Sequence, residues 1–212
     1  ELSEFRVCGH VDELPQATLI EEPPLVADDW EAFEGMRIAV EPILTVLGNY
    51  GLIDRGELLV GLTGRQWQPT ERFPPGAQSR ALTEDNARAR LLLDDGSIAL
   101  GAPERVSYLS LQPSIDAPYR TGTQLSGVSG VLDQRGGSYR LHPGERVHAV
   151  QAPRPESAPE VGGALRIATF NLENYFNGDG KGGGFPTARG ASDAEELNRQ
   201  RAKIMSGLKA MD

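Results

Sequence analysis

Residues 152–159 read Ala-Pro-Arg-Pro-Glu-Ser-Ala-Pro, three prolines in eight positions. Proline fixes φ at about −65° and offers no N–H, so such a run favours an extended, semi-rigid spacer over helix or sheet. Gly162 and Gly163 close the stretch. It divides the chain into a long part, residues 1–151, and a short part, residues 164–212, with 152–163 as a Pro-rich linker. A length of 212 residues has room for one large domain or two small ones, and the break points to two.

The long part reads as short strands punctuated by turns. Strand signals cover residues 5–10, 17–20, 36–47, 56–61, 91–93, 124–132, 138–142 and 146–151. Pro42 sits inside the strongest of them, which predicts a bulge or an edge position there. Arg135-Gly136-Gly137 reads as the turn of a hairpin, and residues 101–120 as a long irregular connection. Two helical segments interrupt the strands: an acid-started turn at 28–34, stopped by Gly35, and a polar run at 77–90. Trp30 and Phe33 share one side of the first and read as a core plug. Six to eight strands with one small helix imply a mainly β fold, a closed or half-closed barrel.

Charge narrows the partners. Residues 1–163 hold 14 Arg, no Lys and 24 acids, a net charge of −10, while residues 164–212 carry +1. An acidic domain repels a nucleic-acid backbone at long range, so weak or no nucleic-acid binding is expected of the barrel. Arg80, Arg88 and Arg90 read as a solvated helix face rather than an anion patch. The single cysteine, Cys8, excludes an intrachain disulfide and reads as a small half-buried hydrophobe. His10, His142 and His148 lack metal-ligand spacing, and Asp94-Asp95-Gly96 reads as turn chemistry rather than a cation site. No run approaches the roughly 20 apolar residues that span a bilayer. The sequence starts at Glu1 with neither an initiator Met nor a signal peptide, as a processed chain would.

In the short part, Leu165, Ile167 and Thr169 alternate with Arg166, Ala168 and Phe170, a strand pattern that breaks at Asn171. An amide there can donate to a phosphate oxygen or offer its carbonyl to a hard cation. Residues 177–190 hold six glycines, a surface loop or a cradle of N–H groups for a phosphate. Ser192-Asp193-Ala194-Glu195 has the form of a capping box, opening a helix from Asp193 to about Ala210. Its apolar stripe is Ala194, Leu197, Ile204, Leu208 and Met211, with Arg201 as the polar gap.

At Arg166-Ile-Ala-Thr-Phe-Asn-Leu-Glu-Asn-Tyr-Phe176 the sequence resembles the opening strand of the endonuclease/exonuclease/phosphatase superfamily, the fold of pancreatic deoxyribonuclease. It is similar, more narrowly, to the secreted bacterial nucleases of that family. Their Gly-rich loop corresponds to residues 178–184, their Arg-Gly-Ala to Arg189-Gly190-Ala191, and their helix motif to Arg199-Gln200-Arg201-Ala202-Lys203-Ile204. In those proteins an oligonucleotide/oligosaccharide-binding (OB) type barrel precedes the nuclease strand. Glu34-Gly35-Met36, Tyr50, Trp67-Gln68-Pro69-Thr70, residues 91–96, Gly127-Val128 with Gly130-Val131-Leu132-Asp133, and Tyr139-Arg140-Leu141 with Pro143 match its pattern.

The resemblance implies a fold and a chemistry. The fold is an OB-like barrel followed by the first strand and helix of an α/β four-layer sandwich. The activity is hydrolysis of DNA or RNA phosphodiesters by an extracellular or periplasmic hydrolase, with Mg2+, Mn2+ or Ca2+ polarising the phosphate. Asn171 matches the family's first active-site residue, expected to orient the metal or the phosphate, and Asn174 and Arg189 match positions near the site. The metal-binding Glu and the later Asp, Asn and His of the family are not found in these residues. The chain is therefore expected to be catalytically inactive alone, a truncated front part of the whole nuclease. A lone strand exposes unpaired N–H and C=O groups, so residues 165–170 are expected to be disordered or to pair with the barrel or a second copy, giving a dimer. A binding module without catalysis, or a phosphatase or phosphodiesterase of the same superfamily, are the alternatives.

Overall fold

The computed structural model describes residues 14–96, 105–114, 117–155, 157–165 and 167–211. The chain separates into two compact units, Glu1–Ala152 and Pro153–Asp212. The strand expected at residues 5–10, with Cys8 and His10, lies outside the described residues.

The first unit is mainly β. Among the described residues its nine strands are β1 (Thr18–Ile20), β2 (Arg37–Val40), β3 (Leu44–Gly48), β4 (Leu58–Gly61), β5 (Arg90–Leu93), β6 (Gln124–Ser126), β7 (Val128–Arg135), β8 (Ser138–Pro143) and β9 (His148–Val150). They form one sheet in the order β1-β2-β7-β8-β5-β4-β3-β6-β9. The β1–β2 and β5–β8 pairs are parallel and the others antiparallel.

This order forces the sheet to curl. Only residues 41–43 separate β2 from β3, yet the two strands stand second and seventh in the sheet. Four Cα–Cα steps reach at most about 14 Å, whereas five strand spacings in a flat sheet cover about 24 Å. The sheet is accordingly a curled half-barrel. The expected strand at 36–47 is thus two strands, and Pro42 marks the corner between them rather than a bulge inside one. A residue with no N–H fits a corner, where no ladder bond is required.

Alternation builds the core. Ile38 and Val40 of β2, Leu58 and Val60 of β4, Leu91 and Leu93 of β5, and Val128 and Leu132 of β7 point inward and are buried. Trp30, on a 3-10 helix at Ala27–Phe33, is 1% exposed and closes the core as the spacing suggests. Its ring meets Phe33 edge-on at 6.2 Å, and Nε1 donates to the Arg88 carbonyl at 3.0 Å. Arg88 ends a helix over Ala77–Arg88, here α3, which follows two four-residue turns, α1 (Leu52–Arg55) and α2 (Pro69–Arg72). Arg88 pairs with Asp85 at 3.0 Å and donates to the Pro24 carbonyl, so it ties structure together rather than facing solvent freely.

The second unit holds one helix, α4 (Ala194–Lys209), among its described residues. The strand expected at 165–170 does not form: residues 165 and 167–170 have no strand pairing, and Leu165 and Ile167 are 76% and 84% exposed. A strand exists only through a neighbour's ladder bonds. Here the segment after it leans on α4 instead. A Cβ at Gly207 would meet the Phe170 ring at 2.9 Å, and Gln200 Nε2 donates to the Leu172 carbonyl at 3.3 Å. Residues 157–161 of the expected linker line a cavity of about 470 Å3 with Ile167, Ala168, Ala210 and Met211.

Candidate functional site

In the second unit, Glu173, Asn174, Arg189, Arg199, Gln200 and Lys203 line a cleft of about 470 Å3. Two of the three residues singled out by sequence, Asn174 and Arg189, meet there. The third, Asn171, is not part of its wall. Its Oδ1 accepts the Glu173 N–H at 2.8 Å, a local turn closed by Glu173 with a left-handed φ of 53°.

The Arg189-Gly190-Ala191 wall owes its shape to close packing. A Cβ on Gly190 would stand 2.5 Å from the Asn174 carbonyl oxygen and 2.8 Å from Thr187 Oγ1, so only glycine lets the two strips of backbone meet. The Gly190 N–H donates to Thr187 Oγ1 at 3.0 Å, and that hydroxyl donates to the Ala191 carbonyl at 3.1 Å. Ala191 is buried, which anchors the turn that carries Arg189.

The opposite wall is α4. Glu196, Arg199, Gln200 and Lys203 stand at helical steps of three and four, so one face presents all of them to the cleft. Arg201 turns away from it. This residue lines a smaller cavity with Tyr175 and Phe185, which accounts for the polar gap in the apolar stripe. The helix cap lies one residue later than the capping-box pattern suggests. Asp193 is the N-cap, its Oδ1 accepting the Glu196 N–H at 2.7 Å, while Glu196 Oε2 accepts from Ser192 N and Oγ at 2.7 and 2.6 Å. The Ser192 hydroxyl, then its backbone N–H, hold the Glu196 carboxyl below its usual range.

Three cations, Arg189, Arg199 and Lys203, against Glu173 and Glu196 leave the cleft with a surplus of positive charge, suited to a phosphate. Arg199 is also 3.4 Å from Glu195 on the exposed side. Arg199 and Lys203 were visible beforehand only as members of a family-like motif; their four-residue spacing was the signal that they share a face.

The Gly-rich loop does not offer a free cradle. Asp179 Oδ1 accepts the N–H groups of Lys181 at 2.7 Å and Gly183 at 2.9 Å, and the Asp179 N–H donates to the Gly183 carbonyl. The loop's own carboxylate sits where a phosphate oxygen would.

A hard cation needs about six oxygen ligands. Among the described residues no group of three or more His, Cys, Asp or Glu side chains converges, the Asn171 carbonyl is taken by Glu173, and Glu196 Oε2 is taken by Ser192. These residues do not by themselves fit a divalent-metal centre. Asp94 is likewise no cation ligand: it is 1% exposed and paired with Arg140 and Arg135.

Comparison with known proteins identifies no relative: no family model, no curated protein and no solved structure matches the chain. Among the described residues no helix is long and apolar enough to cross a membrane.

Proposed function

We propose that residues 164–212 are the opening segment of the catalytic domain of a secreted, metal-dependent nuclease, joined by the linker at 152–163 to an OB-like accessory barrel in residues 1–151. One observation carries the reading: Asn174 and Arg189, named from a sequence resemblance alone, line the same cleft as Arg199 and Lys203 of the family-like helix motif. Four residues drawn from three separate segments converge where a phosphate would be held.

The barrel supports the same reading at fold level. Following the curl, β3-β4-β5-β8-β7-β2 forms a run that the corner at residues 41–43 closes into a ring, with one parallel pair, β5–β8. Counting β2 and β3 as one bent strand, we read this run as a five-stranded barrel of the OB kind. Fold alone assigns no ligand.

Within this reading, Arg189, Arg199 and Lys203 bind and orient the phosphodiester, and Asn174 offers an amide beside them. A divalent cation would supply polarisation of the phosphate. Its ligands are not assembled by the residues described, and no step is assigned to it.

Plasmid cleavage with Mg2+ or Mn2+ tests the assignment. The 212-residue chain is compared with a longer polypeptide that adds the family's remaining motifs. The expected result is cutting by the longer protein, strongly weakened by Arg189→Ala, and none by the shorter. Hydrolysis of inositol phosphates or phospholipids in place of DNA would move the protein to another branch of the superfamily. Cutting by the 212 residues themselves would overturn the expectation of an inactive segment.

A further inference from the structure

Strand β1 lies outside the ring of strands β3-β4-β5-β8-β7-β2, parallel to β2 at one end of the sheet order. Together with residues 14–16 it walls a cavity of about 460 Å3 over the outer face of β2, β7 and β8. The register sets what that face presents. Ile38 and Val40 of β2 and Val128 and Leu132 of β7 are buried, so the alternate residues Arg37 and Val131 point outward. Arg37 stands opposite Val131, and Val131 opposite His142, a row that crosses two strand spacings, about 10 Å. The solvated face of an antiparallel pair is ordinarily polar. Here Val131 is 45% exposed, and the exposed Met36 and Leu14 line the same cavity. Gly35 and Gly144 also line it, and a Cβ on either would meet nothing within 4 Å, so the space is bare of side chain.

The polar groups on this wall are few and unequal. Arg37 Nη1 donates to the Pro15 carbonyl at 3.1 Å, and both residues line the cavity, so the guanidinium is fixed at its edge. Among the described residues no carboxylate lies within ion-pair distance of Arg37, whereas Arg55, Arg88, Arg135 and Arg140 of the same unit each have one. His142 is already engaged. Its Nδ1 faces the Asp94 carbonyl at 3.1 Å, a group that only accepts, so Nδ1 carries the proton, and Nε2 faces Asp133 at 3.6 Å. Glu145 is exposed and lines the cavity without pairing with Arg37. Arg37 is the charge with donors to spare.

We propose that this cavity binds a small aliphatic carboxylate, its carboxylate accepting from Arg37 and its chain lying over Val131 against Met36 and Leu14. Small-ligand sites are clefts of roughly 300–1,000 Å3 that join apolar walls to a few placed polar groups, and this one has that size and that make-up. A planar guanidinium matches a carboxylate with two parallel N–H groups, and an aliphatic chain removes from water the apolar surface that Val131 and Met36 expose. The oligomeric ligands of an OB barrel lie on its second and third strands, β4 and β5 in the ring, whereas this cavity lies against β2, β7 and β8. The inference rests neither on that fold reading nor on the nuclease reading of residues 164–212.

Titration of the whole 212-residue chain with sodium octanoate, followed through the methyl resonances of Met36 and Val131, tests it. Saturable shifts are expected, with a dissociation constant of about 1 mM, the range open to so small a ligand. Arg37→Gln should weaken octanoate about tenfold, the worth of a charge-assisted hydrogen bond, and leave the binding of octanol unchanged. Arg37→Lys keeps the charge and should recover part of the loss. Gly144→Leu has open space for its side chain and places it in the cavity, so it should abolish binding of both ligands. Acetate, a carboxylate without a chain, should shift neither methyl. Absence of saturable shifts, equal octanoate affinity in Arg37→Gln, or equal affinity for acetate and octanoate would each overturn the proposal. Shifts at the exposed Leu165 and Ile167 as large as those at Val131 would overturn it too, because they mark a detergent-like coating rather than a site. Circular dichroism of each variant verifies the fold.

Discussion

Asp94 and Arg140 are ion-paired inside the β unit, their side chains 1% and 8% exposed, with Asp94 Oδ2 accepting from Arg140 Nη1. The pair sits where β5 and β8 run parallel: Asp94 directly follows β5, and its N–H donates to the Leu141 carbonyl at 3.0 Å. Asp94 Oδ1 accepts the Gly96 N–H at 2.8 Å, and Arg140 also reaches Glu57 at 3.4 Å and the Arg135 carbonyl at 3.3 Å. Nearly every polar atom of the pair is engaged; Arg140 Nε is the buried exception. The network joins β4, β5 and β8 at one of the two parallel pairs of the sheet.

Removing Arg140 leaves the buried Asp94 carboxylate with only the exposed Arg135, at 3.4 Å. Arg140→Ala should therefore destabilise the β unit by about 3–5 kcal/mol, read as a lowered urea midpoint. A double change, Asp94→Asn with Arg140→Met, should recover part of that loss, because neither charge is then left unpaired. A single variant as stable as the parent would show that the pair is not a structural lock.

Gly130 is held to glycine by backbone. It pairs with Pro143 across β7 and β8, and a Cβ there would stand 2.1 Å from the His142 carbonyl oxygen. A backbone oxygen cannot swing aside as a side chain can. Gly130→Ala should break the β7–β8 ladder and prevent folding, seen as loss of far-ultraviolet β signal and insoluble expression. By contrast Gly136→Ala has open space around it, and its cost should be only that of a left-handed φ of 64°, about 1 kcal/mol.

The two preceding contacts show where sequence reading stops. The hairpin at Arg135-Gly136-Gly137 and the Trp30 plug were legible, because turn chemistry and aromatic spacing act locally. Arg140 was not: a charged residue in a strand looks solvent-facing until its buried partner, 46 positions away, is known. The pattern at 165–170 misled for a related reason, since alternation records the faces of a strand and not whether a neighbour exists to pair with it. Ser192 and Asp193 are both cap-forming types, and only coordinates decide between adjacent ones. The cleft around Asn174 and Arg189 was reached through a resemblance, and Arg199 and Lys203 of its helix wall stand in the same family-like motif.

Gly190 controls that cleft. Gly190→Ala forces a methyl group against the Asn174 carbonyl and Thr187 Oγ1, so the turn carrying Arg189 must shift. The cost to the second unit should be about 1–3 kcal/mol, with Arg189 displaced. Titration with inorganic phosphate, followed through the amide resonances of Asn174 and Arg189, should show weaker binding than in the parent. An unchanged phosphate response would separate Arg189 from the anion site.

Asp179 makes the Gly-rich loop sensitive to acid. Its carboxylate accepts from the N–H of Lys181 and the N–H of Gly183, and these bonds lower its pKa below the ordinary 3.8. A carboxyl whose folded pKa is depressed contributes to loop closure above its unfolded pKa and loses that contribution as pH falls through the folded value. The loop should thus stay closed at neutral pH and open only below pH ~4. Amide chemical shifts of Lys181 and Gly183, followed downward from neutral pH, should move together with an apparent pKa below that of an exposed aspartate. Asp179→Asn removes the charge but keeps an acceptor, so it should abolish the titration and leave the turn partly formed. Asp179→Ala frees both N–H groups, and inorganic phosphate should then shift their resonances in the variant while leaving the parent unmoved. Phosphate shifts of equal size in both proteins would mean that the carboxylate does not occupy the anion position.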